Sequence, residues 1–100
     1  MKAEDQKILE EKMRNRSISE KELKKLLAAV RGLYEPDFND IAESLEQGRE
    51  KDGREGLRFL IDNLLAEGVI EFSGRKVEKA EGKDNLSFAY RVSKKYDSYQ

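Results

Sequence analysis

The most restrictive feature of the sequence is a helical period of apolar residues that changes abruptly into a strand pattern. Large apolar side chains recur three and four positions apart, at Leu57, Leu60, Ile61, Leu64 and Leu65. This spacing places them on one face of an α-helix. Gly68 follows, and residues 69–72, Val-Ile-Glu-Phe, are mostly β-branched or aromatic, which favours a strand. The pattern therefore predicts a buried helix that ends at Gly68 and leads directly into a strand.

A second strand pattern lies near the carboxyl end. Large apolar residues at 86, 88, 90 and 92 alternate with small or polar ones, so one face of this strand is expected to be buried. Residues 81–85, Glu-Gly-Lys-Asp-Asn, are typical of a turn, which predicts an antiparallel hairpin folding back near Lys83. The residues after position 93 are expected to form a tail, and Tyr96 and Tyr99 in it are assigned no role.

Two further helices are predicted upstream. Ser19 and Glu22 have the spacing of a capping box, so a helix is expected from about 20 to 32, with Gly32 available to end it in a left-handed cap. Asp37 is a good N-cap for a second, acidic helix of only about ten residues.

The first residues of the chain predict a less autonomous helix. Positions 2–16 are rich in charge, and their sizeable apolar residues, Ile8, Leu9 and Met13, form only a narrow stripe. Such a helix can pack on the domain, pair with a second copy, or fray.

Composition limits the chemistry available. One hundred residues suffice for one compact domain, and with 41% charged and 37% hydrophobic residues its core must be small. The lack of cysteine and histidine excludes disulfides, thiolate nucleophiles, Cys-type zinc sites and the commonest general base. Paired carboxylates such as Asp37 with Asp40 occur without a phosphate-binding loop or nucleophile motif. We therefore expect no enzyme activity, no metal site and no cofactor.

The order of these elements resembles the winged helix-turn-helix domains of small bacterial and archaeal transcription regulators. The resemblance rests on a leucine-rich third helix running into Glu67-Gly68 and two apolar residues, and on a returning strand that carries Tyr90-Arg91-Val92. It implies an α+β winged helix, with a three-helix core, a C-terminal antiparallel β-hairpin as the wing, and an extra N-terminal helix. The implied organisation is an N-terminal arm at 1–17, the winged-helix domain at 18–95 and a tail at 96–100.

The resemblance also implies that the third helix enters the major groove of DNA and that the wing touches backbone or minor groove. The net charge of -1 excludes a globally basic coat, but residues 73–95 carry seven basic against three acidic residues, a net +4. Residues 49–58 carry four against three, only +1. The candidate DNA contacts are Arg49, Lys51, Arg54 and Arg58 around the start of the third helix, and Arg75, Lys76, Lys79 and Lys83 in the wing.

Each candidate has a structural alternative. Arg58 can pair with Asp62 one helical turn later, and charged hairpins also protect sheet edges from aggregation. Phe59 falls opposite the leucine stripe, where it would pack a partner protein, touch a thymine methyl, or be covered by the N-terminal helix.

Two functions of different classes follow. The first is a sequence-specific duplex DNA-binding protein, a transcription regulator that acts as a homodimer through Ile8, Leu9 and Met13. The second is a winged-helix adaptor without DNA binding, in which Phe59 faces a protein partner. The first residues lack the apolar core of a signal peptide and no apolar run is long enough to span a membrane, which favours a cytoplasmic, nucleoid-associated protein.

Overall fold

The computed structural model describes residues 2–45, 51–78 and 86–99, with the backbone alone described at 51–52, 75–78 and 86–87. Within these ranges four α-helices precede a two-stranded antiparallel sheet, which confirms the α+β class. In chain order the elements are α1 (Ala3–Arg14), α2 (Glu20–Gly32), α3 (Phe38–Ser44), α4 (Lys51–Ala66), β1 (Ile70–Glu78) and β2 (Leu86–Val92), with a short 3-10 helix at Lys94–Tyr96. The turn predicted at 81–85 lies outside the described residues. Among the described residues, none of the helices has the length and apolarity needed to span a bilayer.

The start of α2 is confirmed down to its side-chain contacts. Ser19 Oγ accepts the N–H of Glu22 at 3.1 Å, and the Glu22 carboxylate accepts the N–H of Ser19 at 3.5 Å, which completes the capping box. The prediction of a left-handed cap at Gly32 is wrong. Gly32 is the last helical residue and Leu33 leaves α2 in an extended conformation, because the chain continues from there to Pro36 beside the sheet.

Gly68 ends α4 as predicted. Its φ of 72° lies in the left-handed region that glycine enters without a steric penalty. The Gly68 N–H donates to the Leu65 carbonyl at 3.1 Å, and the Val69 N–H donates to the Leu64 carbonyl at 2.9 Å. These two bonds satisfy carbonyls that the helix end would leave unpaired, and they direct the chain into β1.

The hairpin contains a bulge on its first strand. Phe72 lies opposite Tyr90 and Lys76 opposite Phe88, so residues 73–75 of β1 face one residue of β2. Gly74, within the bulge, has a φ of 89°. On its other edge β2 donates the Tyr90 N–H to the Pro36 carbonyl at 2.8 Å, which attaches the chain before α3 to the sheet.

The main hydrophobic core includes residues from α1. Leu9 and Met13 are buried in it because α1 packs against α2, so they form part of the chain's own interior. The stripe predicted as a dimer surface is therefore divided. Ile8 alone of its three residues faces outward, with 53% of its side chain exposed.

The residues expected to form a tail also belong to this core. Tyr99 is 1% exposed, and its hydroxyl donates to the Glu10 carboxylate at 2.9 Å. Arg31 of α2 donates from its two terminal nitrogens to the carbonyls of Tyr99 and Tyr96, each at 2.6 Å. The ranges predicted as arm and tail thus pack with the central domain around one core.

The Tyr99 hydroxyl makes the free energy of unfolding vary with pH in the alkaline range. Its burial, together with the hydrogen bond to Glu10, holds the pKa of Tyr99 well above its usual value. The unfolded chain ionises this phenol near about pH 10 while the folded chain keeps it neutral, so the free energy of unfolding falls as pH rises above about 10.

We expect Tyr99→Phe to lose less stability than the wild type between about pH 9 and 11, because it removes this titration. Urea unfolding across that range measures the difference. Tyr34→Phe is the matched control, since Tyr34 is 84% exposed. Equal pH dependence in Tyr99→Phe and the wild type would contradict the assignment.

Candidate nucleic-acid interface

The first turn of α3 fixes the position of Phe38. Asp37 Oδ1 accepts the N–H of Asp40 at 2.8 Å, and Asp40 Oδ2 accepts the N–H of Asp37 at 3.0 Å. This reciprocal capping box confirms Asp37 as a helix cap. The helix it starts has seven residues, shorter than the ten expected. Two of its carboxylates therefore serve the backbone of their own turn.

Two candidate DNA contacts, Arg54 and Arg58, meet at the ring of Phe38. The Arg58 guanidinium lies 4.1 Å from the ring centroid and that of Arg54 lies 5.3 Å from it. Arg54 also donates to the side-chain oxygen of Asn39. The alternative prediction, an ion pair between Arg58 and Asp62, is not observed among the described side chains.

This cluster, defined by Arg54, Arg58, Phe38 and Asn39, is called the arginine cluster below. Its geometry restricts the rotamers of two long cationic side chains through attraction to the ring face, worth about 0.5–1 kcal/mol per contact where solvent reaches. Arg58 remains exposed, so its planar array of N–H donors can reach a phosphate or a base edge from a defined direction. The sequence identified both arginines but gave no indication that Phe38 would bring them together.

The other predicted contacts are placed less completely. Lys51 lies in the first turn of α4, and Arg75 and Lys76 lie in β1, where the structure describes the backbone. Arg49, Lys79 and Lys83 fall outside the described residues. In the described ranges, no group of three or more acidic side chains is arranged to hold a metal ion.

Phe59 lies on the outward face of α4 and is half exposed. The N-terminal segment does not cover it fully. Arg16 of that segment reaches Asn63 and Glu67 further along the helix, donating to Asn63 Oδ1 at 3.2 Å. Glu55 and Asp62 are exposed within one helical turn of Phe59. Two exposed carboxylates thus lie one turn to either side of Phe59, while its neighbour in the chain, Arg58, belongs to the arginine cluster.

The hairpin carries two further exposed aromatic residues, whose exposure the strand pattern did not predict. The alternation at 86–92 predicted a buried face, and Tyr90 and Val92 are buried as expected. Phe88, on the same face, is 49% exposed, and Phe72 of β1 is 51% exposed. The difference arises because the helical core buries this face near Tyr90 and Val92 but leaves it half open further along the hairpin. Alternation identifies a shared face but does not show how far the helices cover it.

Comparison with known proteins adds no assignment to these observations. No protein-family model matches the chain, and neither the comparison with curated proteins nor that with solved structures finds a match.

The capping role of Asp37 can be separated from any role in binding. Asp37→Ala should lower the free energy of unfolding by about 1 kcal/mol, because the N–H of Asp40 loses its acceptor. Asp37→Asn keeps an acceptor, so its free energy of unfolding should fall by only a small fraction of that amount. Urea unfolding of the two variants measures the difference. If Asp37→Asn were destabilised as much as Asp37→Ala, the charge of Asp37 would matter beyond the cap.

Proposed function

We propose that this protein is a winged-helix DNA-binding protein and a transcription regulator, with α4 in the major groove of duplex DNA and the hairpin on the sugar-phosphate backbone. The order of helices and hairpin supports this, since α4 is the helix that runs directly into the sheet. The bond from the Tyr90 N–H to the Pro36 carbonyl supports it too, because it attaches the segment between α2 and α3 to the sheet.

The arginine cluster is the observation that carries the proposal. It lies in the first half of α4, and a helix entering a major groove about 12 Å wide presents its N-terminal residues to base edges. Arg58, stacked on Phe38 and exposed, is suited to a bidentate contact with a guanine or a phosphate. Arg54, held by Asn39, lies one turn earlier on the same side of the helix.

The hairpin and the residues that follow it supply the electrostatic part of the proposal. The sequence from Ser73 to Lys95 has a net charge of +4, to which Lys94 and Lys95 of the 3-10 helix contribute two, whereas the whole chain has -1. A local excess of cations favours contact with phosphates even when the net charge does not. Of the basic residues on the strands, Arg91 has a described side chain, and its guanidinium pairs with Glu71 at 3.4 Å.

We further propose that two copies bind together on DNA, because a single module of this size contacts only a few base pairs. Of the three side chains predicted to form the dimer surface on α1, Ile8 is the exposed one, so a substitution of Ile8 tests whether α1 forms that surface.

The first test measures binding of the purified protein to random-sequence duplex DNA. Fluorescence anisotropy reports the affinity across a salt series. Affinity should fall steeply between about 50 and 200 mM salt, because phosphate contacts release counterions. Lys79→Ala should reduce the salt dependence by about one contact, whereas the exposed α1 variant Lys7→Ala should leave it unchanged. No binding at low salt would contradict the proposal.

The second step of the test uses a duplex selected by the wild-type protein. Arg58→Ala should weaken binding to the selected site by about 5- to 150-fold, the loss of one bidentate base contact, and should weaken random DNA less. Arg14→Ala is the matched control, since it removes the same charge from an exposed position of α1. Equal effects of the two substitutions would show that α4 does not read the site.

A protein adaptor is the second candidate function, and Phe59 is the observation that favours it. A half-exposed phenylalanine beside Glu55 and Asp62 fits a partner with an apolar pocket and a basic rim. Phe59→Ala should leave duplex binding intact if α4 contacts DNA through the arginine cluster. Unchanged duplex binding in Arg58→Ala, together with loss of a protein partner in Phe59→Ala, would favour the adaptor.

A further inference from the structure

The ring of Phe38 is a support whose position is set by the fold. Phe38 is 8% exposed and belongs to the main hydrophobic cluster. It is the first residue of α3, and the reciprocal capping box of Asp37 and Asp40 sets the backbone on both sides of it. A side chain packed into a core has few alternative rotamers, because protein interiors are closely packed. The ring therefore offers a fixed face to whatever lies over it.

The Arg58 guanidinium lies over this ring, 4.1 Å from the ring centroid, and Arg58 is exposed. Within the part of the chain that the structure describes, no side chain forms an ion pair or a hydrogen bond with this guanidinium. Arg54 shares the ring at 5.3 Å, but it is partly buried and donates to Asn39 Oδ1. The ring face is thus the described contact that directs Arg58.

The position of Arg58 along α4 suits contact with a base. Arg58 lies in the first half of the helix, and helical side chains lean toward the helix N-terminus. Its guanidinium therefore lies over the preceding turn, beside the ring that Arg54 also reaches. In the proposed complex this is the part of α4 that faces the base edges.

A guanidinium held in one plane matters more for a base than for a phosphate. A guanine presents two acceptors, O6 and N7, in one plane in the major groove, and arginine binds both with two N–H donors. Contact with a phosphate is less sensitive to direction, because a flexible lysine makes it as a point charge. A side chain that is oriented before binding also loses less conformational entropy when both bonds form.

We propose that Phe38 is a positioning residue that holds Arg58 in the orientation in which Arg58 reads a guanine in the major groove. This inference rests on the proposed function and deepens it, since it names the base that α4 reads and the residue that orients the reading side chain. Phe38 acts through Arg58 and does not need to touch the DNA.

Fluorescence anisotropy of the full-length protein tests the proposal with two duplexes, one selected by the wild type and one of random sequence. Phe38→Leu keeps an apolar side chain and removes the ring face, so the ratio of selected to random affinity should fall about threefold to tenfold. The affinity for random DNA and its salt dependence should stay unchanged, because no charge is removed. Ile41→Val is the matched control, since Ile41 is fully buried in the same helix, and it should keep the wild-type ratio.

The Arg58→Ala background separates positioning from a general loss of structure. If Phe38 acts through Arg58, Phe38→Leu should cause no further fall in the affinity ratio once residue 58 is alanine. A merely structural role of Phe38 would lower the ratio equally in both backgrounds.

Replacement of each guanine of the selected site in turn by 7-deazaguanine identifies the base. This analogue lacks the N7 acceptor. One replacement should weaken binding of the wild type severalfold and leave binding of Arg58→Ala unchanged. Equal tolerance of every replacement would assign Arg58 to a phosphate and overturn the reading of guanine.

Proton NMR of the wild-type protein tests the stacking without any substitution, so it decides the question even if Phe38→Leu does not fold. The ring current of Phe38 should shift the side-chain protons of Arg58 upfield in the free protein. The upfield shift should persist in the complex with the selected duplex, because the ring keeps its hold while Arg58 reads the base.

Three outcomes would overturn the positioning role and leave the proposed function standing. They are an unchanged affinity ratio in Phe38→Leu, an equal fall of the ratio in the Arg58→Ala background, and loss of the upfield shift when the duplex binds. Absence of duplex binding by the wild type would instead remove the proposed function, and this inference with it.

Discussion

The burial of both chain ends in one core is the constraint on which the rest of the structure depends. A chain of 100 residues with 41% charged side chains has few apolar groups, and small domains bury a smaller fraction of their surface than large ones. Met13 from α1 and Tyr99 from the last residues both enter the interior that α2 and α4 form. Without them, the core cluster to which the leucines of α2 and α4 belong would lose two of its largest fully buried side chains.

The arginines fall into two groups, those that hydrogen-bond to other parts of the protein and those whose donors are exposed. Arg31 holds the C-terminal residues through two carbonyls, and Arg16 joins the end of α1 to α4 through Asn63 and Glu67. Arg58 has a different environment, since its described partner is the face of Phe38 and its donors are exposed. A count of basic residues treats these arginines alike, but their contacts leave Arg58 better placed to meet an external anion.

Features set by neighbouring residues could be predicted from the sequence. The capping box at Ser19, the N-cap at Asp37 and the end of α4 at Gly68 depend on side chains and backbone within a few positions. Features set by the meeting of distant elements could not. The burial of Tyr99, the stacking of Arg58 on Phe38 and the half exposure of Phe88 each depend on how helices and hairpin pack, which periodicity does not encode.

The central claim is that the first half of α4 and the hairpin contact nucleic acid, and NMR mapping tests it most directly. Backbone amide and arginine Nε–H signals of labelled protein would be followed as a short duplex is added at low salt. We expect the largest shift changes at Arg54, Arg58 and the hairpin, with α1 nearly unaffected. Changes centred on Phe59 and the second half of α4, or no changes, would contradict it.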